Sequence, residues 1–274
     1  PGPGGPTHAR GPSPPPGHGP GPSSATFSTA RAQLEALSSL PQLDRAAAAT
    51  WVYPTNMPVR EYQRSMARTA LLHNTLVSLP TGLGKTLIAA VVMYNFYRWF
   101  PRGKVVFTAP TRPLVSQQVE ACHQVMGLPL AETAELQGTV APAVRQALWR
   151  ERRVFFCTAQ ALTNDLCGGQ LSARDVVCLV VDEAHRATGN HAFVTLVRAI
   201  SRHTPRFRVL ALSATPGSRM DAVQEVITNL CIERIELRLE SDADVRGYRH
   251  ARLEEVIPVK LAGGIAALAT EMEQ

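Results

Sequence analysis

Five short apolar runs recur along the middle of this 274-residue chain. A continuous apolar run of about four to eight residues is typical of a strand that is buried on both faces, as in a parallel sheet. The runs are TLVSL (75–79), KVVFTA (104–109), RVFFCT (153–158), VVCLVV (176–181) and FRVLALS (207–213). They predict a sheet that is covered by helices on both sides.

Helical patterns fill the intervals between these runs. The clearest spans 85–100, where Leu87, Val91 and Tyr94 lie on one stripe. Similar patterns occur at 112–126, 141–150 and 189–202. Alternating strands and helices require right-handed crossovers, so the sequence predicts an α/β fold with a doubly wound parallel sheet flanked by helices. Ligands of such sheets bind beyond the carboxyl ends of the strands, so we expect the site in the loops that follow the runs.

The loop after the first run has the composition of a phosphate-binding loop. Its sequence, SLPTGLGKT (78–86), ends in Gly-Lys-Thr between a predicted strand and a predicted helix. Backbone N–H groups of such a loop, with the N-terminus of the following helix, enclose phosphate oxygens. Lys85 would reach the β- and γ-phosphates of a nucleotide, and the Thr86 hydroxyl would hold Mg²⁺. The expected nucleotide-binding residues of the loop are Pro80, Thr81, Gly82, Leu83, Gly84, Lys85 and Thr86.

This loop departs from the general motif at one position. A glycine is usual five residues before Gly84, and this chain has Leu79 there. That glycine mainly relieves crowding at the end of the strand, so we expect another residue at this position to permit binding. The alternative is a glycine-rich turn that carries an incidental lysine.

A pair of acids follows the fourth run. VVCLVVDEAHRA (176–187) is an apolar strand that ends directly in Asp182 and Glu183. A strand-terminal Asp182 is placed to bind the Mg²⁺ of a nucleotide, and Glu183 is placed to orient and deprotonate an attacking water. Two acids after a strand can also be a solvated turn. Their combination with the phosphate-binding loop favours phosphoryl transfer, which needs little more than a cation, a lysine and a carboxylate.

The sequence DEAH at 182–185, with PTGLGKT before it and SAT at 213–215 after it, resembles the first motor lobe of superfamily 2 helicases. In that superfamily the phosphate-binding loop commonly lacks the first glycine. The resemblance implies a RecA-like fold and ATP with Mg²⁺ as cofactors. It also implies a catalytic role for His185, and a role for Ser213 and Thr215 in coupling the nucleotide state to the grip on nucleic acid.

The same resemblance extends to two kinds of binding residue. VREYQ (59–63) corresponds to the adenine-sensing Q motif, in which Gln63 would bond the adenine edge and Arg60 would stack on the ring. APTRPLVSQQ (109–118), QGT (137–139) and TAQ (158–160) are similar to motifs that contact the nucleic-acid backbone, although Gln137 and Ala159 depart from the usual residues. The expected backbone contacts are Thr111, Arg112, Gly138, Thr158 and Gln160.

A narrower resemblance rests on longer segments. WVYPTNMPVREYQ (51–63), MYNFYRWFP (93–101) and the Gly-Asn pair after the DEAH sequence are similar to the family of Fanconi anaemia group M proteins and archaeal Hef helicase-nucleases. That resemblance implies an ATP-driven translocase or helicase on branched or double-stranded DNA. It further implies action on replication forks and four-way junctions in interstrand-crosslink repair, location in the nucleus, and DNA-repair core-complex proteins as partners.

The composition and the apolar pattern of the chain predict three regions. We expect a Pro/Gly-rich, largely disordered tail at 1–50, because its first 24 residues have no apolar period with which to offset the entropy of ordering. The ATP-binding lobe would span 51–240, and 241–274 would begin a linker toward a second RecA-like lobe that the chain lacks. A second lobe supplies arginines that stabilise the transferring phosphoryl group, so we expect this chain to hydrolyse ATP weakly alone.

Composition leaves other functions open. The net charge of +6 fits a nucleic-acid partner only weakly, and no apolar run approaches the ~20 residues that cross a membrane. The five cysteines form no CxxC pair, which favours structural thiols over a zinc site.

Two alternatives to a DNA motor remain: an ATPase stimulated by duplex RNA, since RNA-sensing motors share the same motifs, and a catalytically silent docking module.

Overall fold

The computed structural model describes Gly2, residues 40–215, Gly217 and residues 219–248. Its centre is a single parallel sheet of seven strands in the order β3-β4-β2-β5-β6-β1-β7. The strands are β1 (Thr75–Ser78), β2 (Lys104–Ala109), β3 (Thr133–Leu136), β4 (Val154–Thr158), β5 (Val176–Val181), β6 (Arg208–Ser213) and β7 (Arg234–Leu237). The predicted α/β class, with a parallel sheet flanked by helices, is confirmed.

Helices cover both faces of this sheet. They are α1 (Arg45–Ala48), α2 (Glu61–Leu72), α3 (Lys85–Trp99), α4 (Arg112–Met126), α5 (Pro142–Glu151), α6 (Ala159–Cys167), α7 (Ala192–Ser201), α8 (Met220–Asn229) and α9 (Ala243–Arg246). Helices α2, α3 and α4 share one core cluster with the sheet, and α6, α7 and α8 share the other. Within the described residues, none of the helices has both the length and the apolar character needed to cross a bilayer.

Alternation along the strands produces the two cores. In β4, Val154 and Phe156 belong to the cluster beneath α3 and α4, while Phe155 and Cys157 belong to the opposite one. Both sets are fully buried, because successive side chains of a strand point to opposite faces. A strand of this kind reads as continuously apolar, which is why the five runs identify β1, β2, β4, β5 and β6 within one residue at each end.

The two outer strands have a different composition. β3 (TAEL) is mostly half-buried and β7 (RIEL) is mostly exposed, since each lies at an edge of the sheet. Edge strands carry polar side chains, so neither produces an apolar run. The helical patterns in the sequence also did not predict α6 and α8, which are short amphipathic helices directly after a strand or a turn.

Residues just outside the predicted lobe, 51–240, contact it at both ends. The Asp44 N–H donates to the Trp99 carbonyl at 2.8 Å, and the Trp99 indole donates to the Thr50 carbonyl at 3.0 Å. At the other end, Val245 in α9 is fully buried in the core cluster of α2 and α3. Residues 44–50 and 241–248 thus pack on the lobe. Most of the predicted tail, residues 1–39, lies outside the described residues, with the exception of Gly2. The same holds for residues 249–274 of the predicted linker.

Candidate active site and nucleic-acid interface

The phosphate-binding loop connects β1 to α3 at the carboxyl edge of the sheet. Gly82 and Gly84 have φ angles of 84° and 91°, in the left-handed region that favours glycine. A Cβ atom on Gly84 would lie 2.1 Å from the Gln63 side-chain nitrogen, so this glycine also leaves room for α2 to approach. The loop therefore has the local backbone that a nucleotide-enclosing turn requires.

Leu79 fits at this position because its side chain packs in the core while its backbone bonds to Ser213 and Lys85. The side chain is 0% exposed and belongs to the core cluster of α2 and α3. Its N–H donates to the Ser213 carbonyl at 3.0 Å, and its carbonyl accepts from the Lys85 ammonium at 2.6 Å. The residue that replaces the usual glycine thus anchors the start of the loop in the core, next to β6.

Lys85 faces the acids that follow β5. It is half-buried, and burial lowers the pKa of its ammonium, while the charges of Asp182 and Glu183 act in the opposite direction. β1 and β5 both pair with β6, so the phosphate-binding loop and the DEAH sequence follow nearby strands at the same edge of the sheet. A cationic ammonium beside two carboxylates is the arrangement that binds and orients a nucleotide polyphosphate with its cation.

Asp182 is held rigidly at the end of β5. Its N–H donates to the Thr108 carbonyl at 2.9 Å, and one of its carboxylate oxygens accepts from the Glu183 N–H at 3.0 Å. Burial raises the pKa of this carboxyl, and the charge of Glu183 adds to the effect, whereas the Glu183 N–H and the charge of Lys85 lower it. Glu183 has a φ of 53°, an uncommon value for a residue with a side chain, and such strain clusters at functional sites.

His185 joins the DEAH sequence to the SAT sequence. Its Nδ1 lies 3.4 Å from a Glu183 carboxylate oxygen and 3.2 Å from the Ser213 hydroxyl. The Ser213 hydroxyl itself donates to the Thr215 carbonyl. His185 thus lies between Glu183, which is expected to act in catalysis, and Ser213, which is expected to couple.

The residues expected to hold Mg²⁺ offer oxygen donors, which Mg²⁺ prefers. They are the Thr86 hydroxyl and the Asp182 carboxylate. Among the described residues, no group of three or more His, Cys, Asp and Glu side chains could hold a metal ion. That is compatible with Mg²⁺, which is commonly held by one or two protein oxygens together with phosphates and waters.

One contact of Thr86 was not foreseen. Its hydroxyl donates to the Gln118 side-chain oxygen at 2.9 Å, which fixes the direction of the hydroxyl proton. Gln118 lies on α4, the helix that begins at Arg112. The sequence APTRPLVSQQ contains this glutamine, but only the packing of α3 on α4 identifies its partner.

The predicted adenine-binding residues lie behind the loop. Gln63 is 3% exposed, and its amide and the Tyr62 hydroxyl each donate to the Leu83 carbonyl at 2.9 Å. The Arg60 guanidinium donates to the Tyr62 hydroxyl at 3.2 Å and lies 4.7 Å from the centre of the Tyr248 ring. The structure therefore ties this motif to the phosphate-binding loop, while contact with adenine stays a prediction.

Four of the five predicted nucleic-acid contacts line one open cleft of about 300 Å³ at the ends of β2 and β4. Thr111 and Arg112 are exposed at the N-terminus of α4, and the Thr158 hydroxyl caps α6 by accepting from the Ala161 N–H at 3.3 Å. Gly138 adjoins them, since a Cβ atom there would lie 3.8 Å from the Arg112 guanidinium. The cleft is lined by Ala109, Pro110, Thr111, Arg112, Thr158, Ala159, Gln160, His191, Ala192 and Phe193.

His191 is a cleft residue that the sequence motifs missed. Its ring accepts from the Phe193 N–H at 3.3 Å, at the start of α7. Burial lowers the pKa of the imidazole, and the charge of Arg186 lowers it further. The only sequence signal was its position shortly after the DEAH sequence. Three helix N-termini, those of α4, α6 and α7, thus surround a cleft that suits a phosphodiester backbone.

Comparison with known proteins agrees with these motifs. A family model described as DEAD/DEAH box helicase matches residues 60–223. The chain is 57% identical over 223 residues to the Fanconi anemia group M protein homolog of Mus musculus, a match that covers 81% of this chain and 11% of that protein. It is 49% identical over 224 residues to the ATP-dependent DNA helicase fml1 of Schizosaccharomyces pombe, covering 82% of this chain and 27% of that protein.

A solved structure shows the same similarity. The helicase domain of Pyrococcus furiosus Hef has a TM-score of 0.69 and 39% sequence identity, and the match covers 75% of this chain and 43% of that one. The resemblance predicted from the sequence is therefore confirmed. The chain spans 11% of the length of the mouse relative, so it corresponds to a small part of such a protein.

Proposed function

Because the chain belongs to the DEAD/DEAH box helicase family, we propose that it is the ATP-binding lobe of a helicase or translocase that acts on DNA. The observation that carries this proposal is the convergence of two motifs on β6: the Leu79 N–H of the phosphate-binding loop donates to the Ser213 carbonyl, and His185 of the DEAH sequence contacts the Ser213 hydroxyl. The cleft at the ends of β2 and β4 lies on the same edge of the sheet. Nucleotide and nucleic acid would thus bind to a single lobe edge.

The roles of the side chains follow from their positions. When bound, ATP with Mg²⁺ supplies the phosphoryl group and the cation that offsets its charge. Lys85 would exchange the Leu79 carbonyl for phosphate oxygens, and Thr86 and Asp182 would hold the cation. Glu183 would orient a water and accept its proton. His185, which contacts both Glu183 and Ser213, would pass the state of the site to the SAT sequence.

The S. pombe relative supports DNA as the substrate. The S. pombe relative is named an ATP-dependent DNA helicase. On the resemblance of its motifs to Fanconi anaemia group M proteins, we further propose that the protein acts on branched DNA in interstrand-crosslink repair, in the nucleus, with repair-complex proteins as partners. The cleft by itself does not distinguish DNA from RNA, because backbone contacts carry no sequence information.

A second RecA-like lobe would complete the motor. The Hef match covers 43% of that helicase chain, which supports a larger functional unit. In such a unit, residues 51–240 would be the ATP-binding lobe and 241–274 the start of the connection to the rest. We expect the 274-residue chain to bind ATP but to hydrolyse it slowly, because an arginine supplied by another lobe is worth roughly 10³–10⁵ in rate.

The test is ATP hydrolysis by the full-length protein, titrated with a four-way DNA junction, a linear DNA duplex of the same composition and an RNA duplex. We expect stimulation at the lowest concentration by the junction, and none with Glu183→Gln under any condition. Stimulation by the RNA duplex alone would replace DNA by RNA as the substrate. Binding of ATP without hydrolysis in every condition would favour a silent docking module.

A further inference from the structure

A buried ion pair lies between α5 and α6, away from the nucleotide site. The Arg145 Nε donates to an Asp165 carboxylate oxygen at 2.7 Å, and the two side chains are 10% and 0% exposed. The Trp149 indole donates to the other carboxylate oxygen at 2.9 Å. An apolar pair of similar volume is commonly at least as stable at such a position, so stability alone does not explain the use of charged residues.

The rest of the guanidinium holds a loop. Arg145 Nη1 donates to the Val140 carbonyl at 2.7 Å and lies 3.5 Å from the Gly138 carbonyl. These carbonyls belong to the turn 137–140, which is closed by the Val140 N–H donating to the Gln137 carbonyl at 3.1 Å. Gly138 is the residue of this turn that adjoins the Arg112 guanidinium in the cleft.

Asp165 connects the same guanidinium to the other side of the cleft. It lies on α6, whose first turn contains Gln160 and whose cap is Thr158. The pair therefore links the turn 137–140 to the helix that carries two further cleft residues. The hydrogen bonds to Asp165, Val140 and Gly138 run in different directions from one planar group.

We infer that Arg145 and Asp165 are positioning residues for the nucleic-acid backbone: they fix the turn 137–140 relative to the N-terminus of α6. This inference rests on the proposed function, in which the cleft binds phosphodiester groups. Successive phosphates of a strand have a set spacing, so donors on a turn and on a helix act together only if their separation is held. Arginine suits this role because its rigid fork donates in several directions, whereas lysine presents a compact ammonium.

The first test is Arg145→Lys in the full-length protein, assayed by DNA-stimulated ATP hydrolysis. We expect the DNA concentration for half-maximal stimulation to rise about tenfold, with the maximal rate and the KM for ATP within about twofold of wild type. The matched control is Trp149→Phe, which removes a donor to the same carboxylate but leaves the bonds of Arg145 to the turn. We expect the control to be less stable and to keep its DNA dependence.

A second readout needs no DNA. Hydrogen exchange of the Val140 amide should be at least about tenfold faster in Arg145→Lys than in wild type, and unchanged in Trp149→Phe, because only the first variant releases the turn. If Arg145→Lys fails to fold, the double variant Arg145→Met with Asp165→Leu replaces the pair by apolar residues and should give the same two changes.

The outcomes separate the inference from the function on which it rests. Absence of DNA stimulation in wild type would refute the proposed function, while the exchange of the Val140 amide would still show whether the pair holds the turn. Equal shifts of the DNA dependence in Arg145→Lys and Trp149→Phe would overturn the inference, since loss of stability would then explain both. An unchanged Val140 exchange rate in Arg145→Lys would also overturn it.

Discussion

Leu79→Ala tests whether the residue that replaces the usual glycine serves the core and not the nucleotide. The Leu79 side chain is 0% exposed, in a cluster formed by the sheet with α2 and α3. Changing a buried leucine to alanine lowers the free energy of unfolding by about 2–5 kcal/mol, and sites whose surroundings cannot collapse into the cavity lie in the upper part of that range. A strand end between a sheet and two helices has little freedom to collapse. We therefore expect the free energy of unfolding to fall by about 3–5 kcal/mol.

The assay is urea unfolding followed by circular dichroism, with Leu72→Ala as the matched control. Leu72 is 61% exposed, so the same chemical change there should alter the free energy of unfolding by less than about 0.5 kcal/mol. Affinity for a fluorescent ATP analogue should stay within about twofold of wild type under folding conditions, because the contacts of Leu79 to Lys85 and Ser213 are made by its backbone.

Two results would refute this reasoning. A loss below about 1 kcal/mol would mean that the side chain is not packed as described. A large loss of nucleotide affinity in folded protein would mean that the Leu79 side chain shapes the phosphate-binding loop directly and does not only fill the core.

The remaining predictions concern other parts of the lobe. Glu183→Gln should keep ATP affinity within about threefold while kcat falls at least about 100-fold; loss of binding would show that the residue was misassigned. Gln118→Leu removes the acceptor of the Thr86 hydroxyl and should raise the Mg²⁺ concentration for half-maximal hydrolysis about fivefold, an effect that an unchanged Mg²⁺ titration would contradict. Burial raises the pKa of the Cys122 and Cys178 thiols to about 12. At pH 8, maleimide should therefore label only the exposed cysteines, Cys167 and Cys231. Labelling of a buried cysteine in the folded protein would contradict the described core.

The parts of the fold that could be predicted are those in which a local pattern reports burial. β2 and β5 have the bounds of their apolar runs, because both faces of a central strand are covered. β7 could not be predicted in this way, since Ile235 and Leu237 alternate with charged residues and are themselves exposed at the edge of the sheet. Pairing with β1 decides its structure, and that pairing joins residues far apart in sequence.

The candidate site divides in the same manner. Lys85, Asp182 and Glu183 could be proposed from the sequence because each lies in a short motif directly after a strand. Arg145 and Asp165 form their ion pair across 20 residues and belong to no motif. Their relation depends on how α5 and α6 pack, which no local pattern specifies.

The most direct test of the account is calorimetric titration of Mg²⁺-ATP into the 274-residue chain, in wild-type, Lys85→Ala and Lys104→Ala forms. Lys104 is the matched control: it is another lysine whose pKa burial lowers, and its ammonium donates to the Arg152 carbonyl at 2.6 Å, at the start of β2. We predict that wild type and Lys104→Ala bind ATP alike and that Lys85→Ala binds at least about 30-fold more weakly, as loss of charge-assisted hydrogen bonds worth about 2–3 kcal/mol requires. Equal affinity in wild type and Lys85→Ala would contradict the claim that this loop is the nucleotide site.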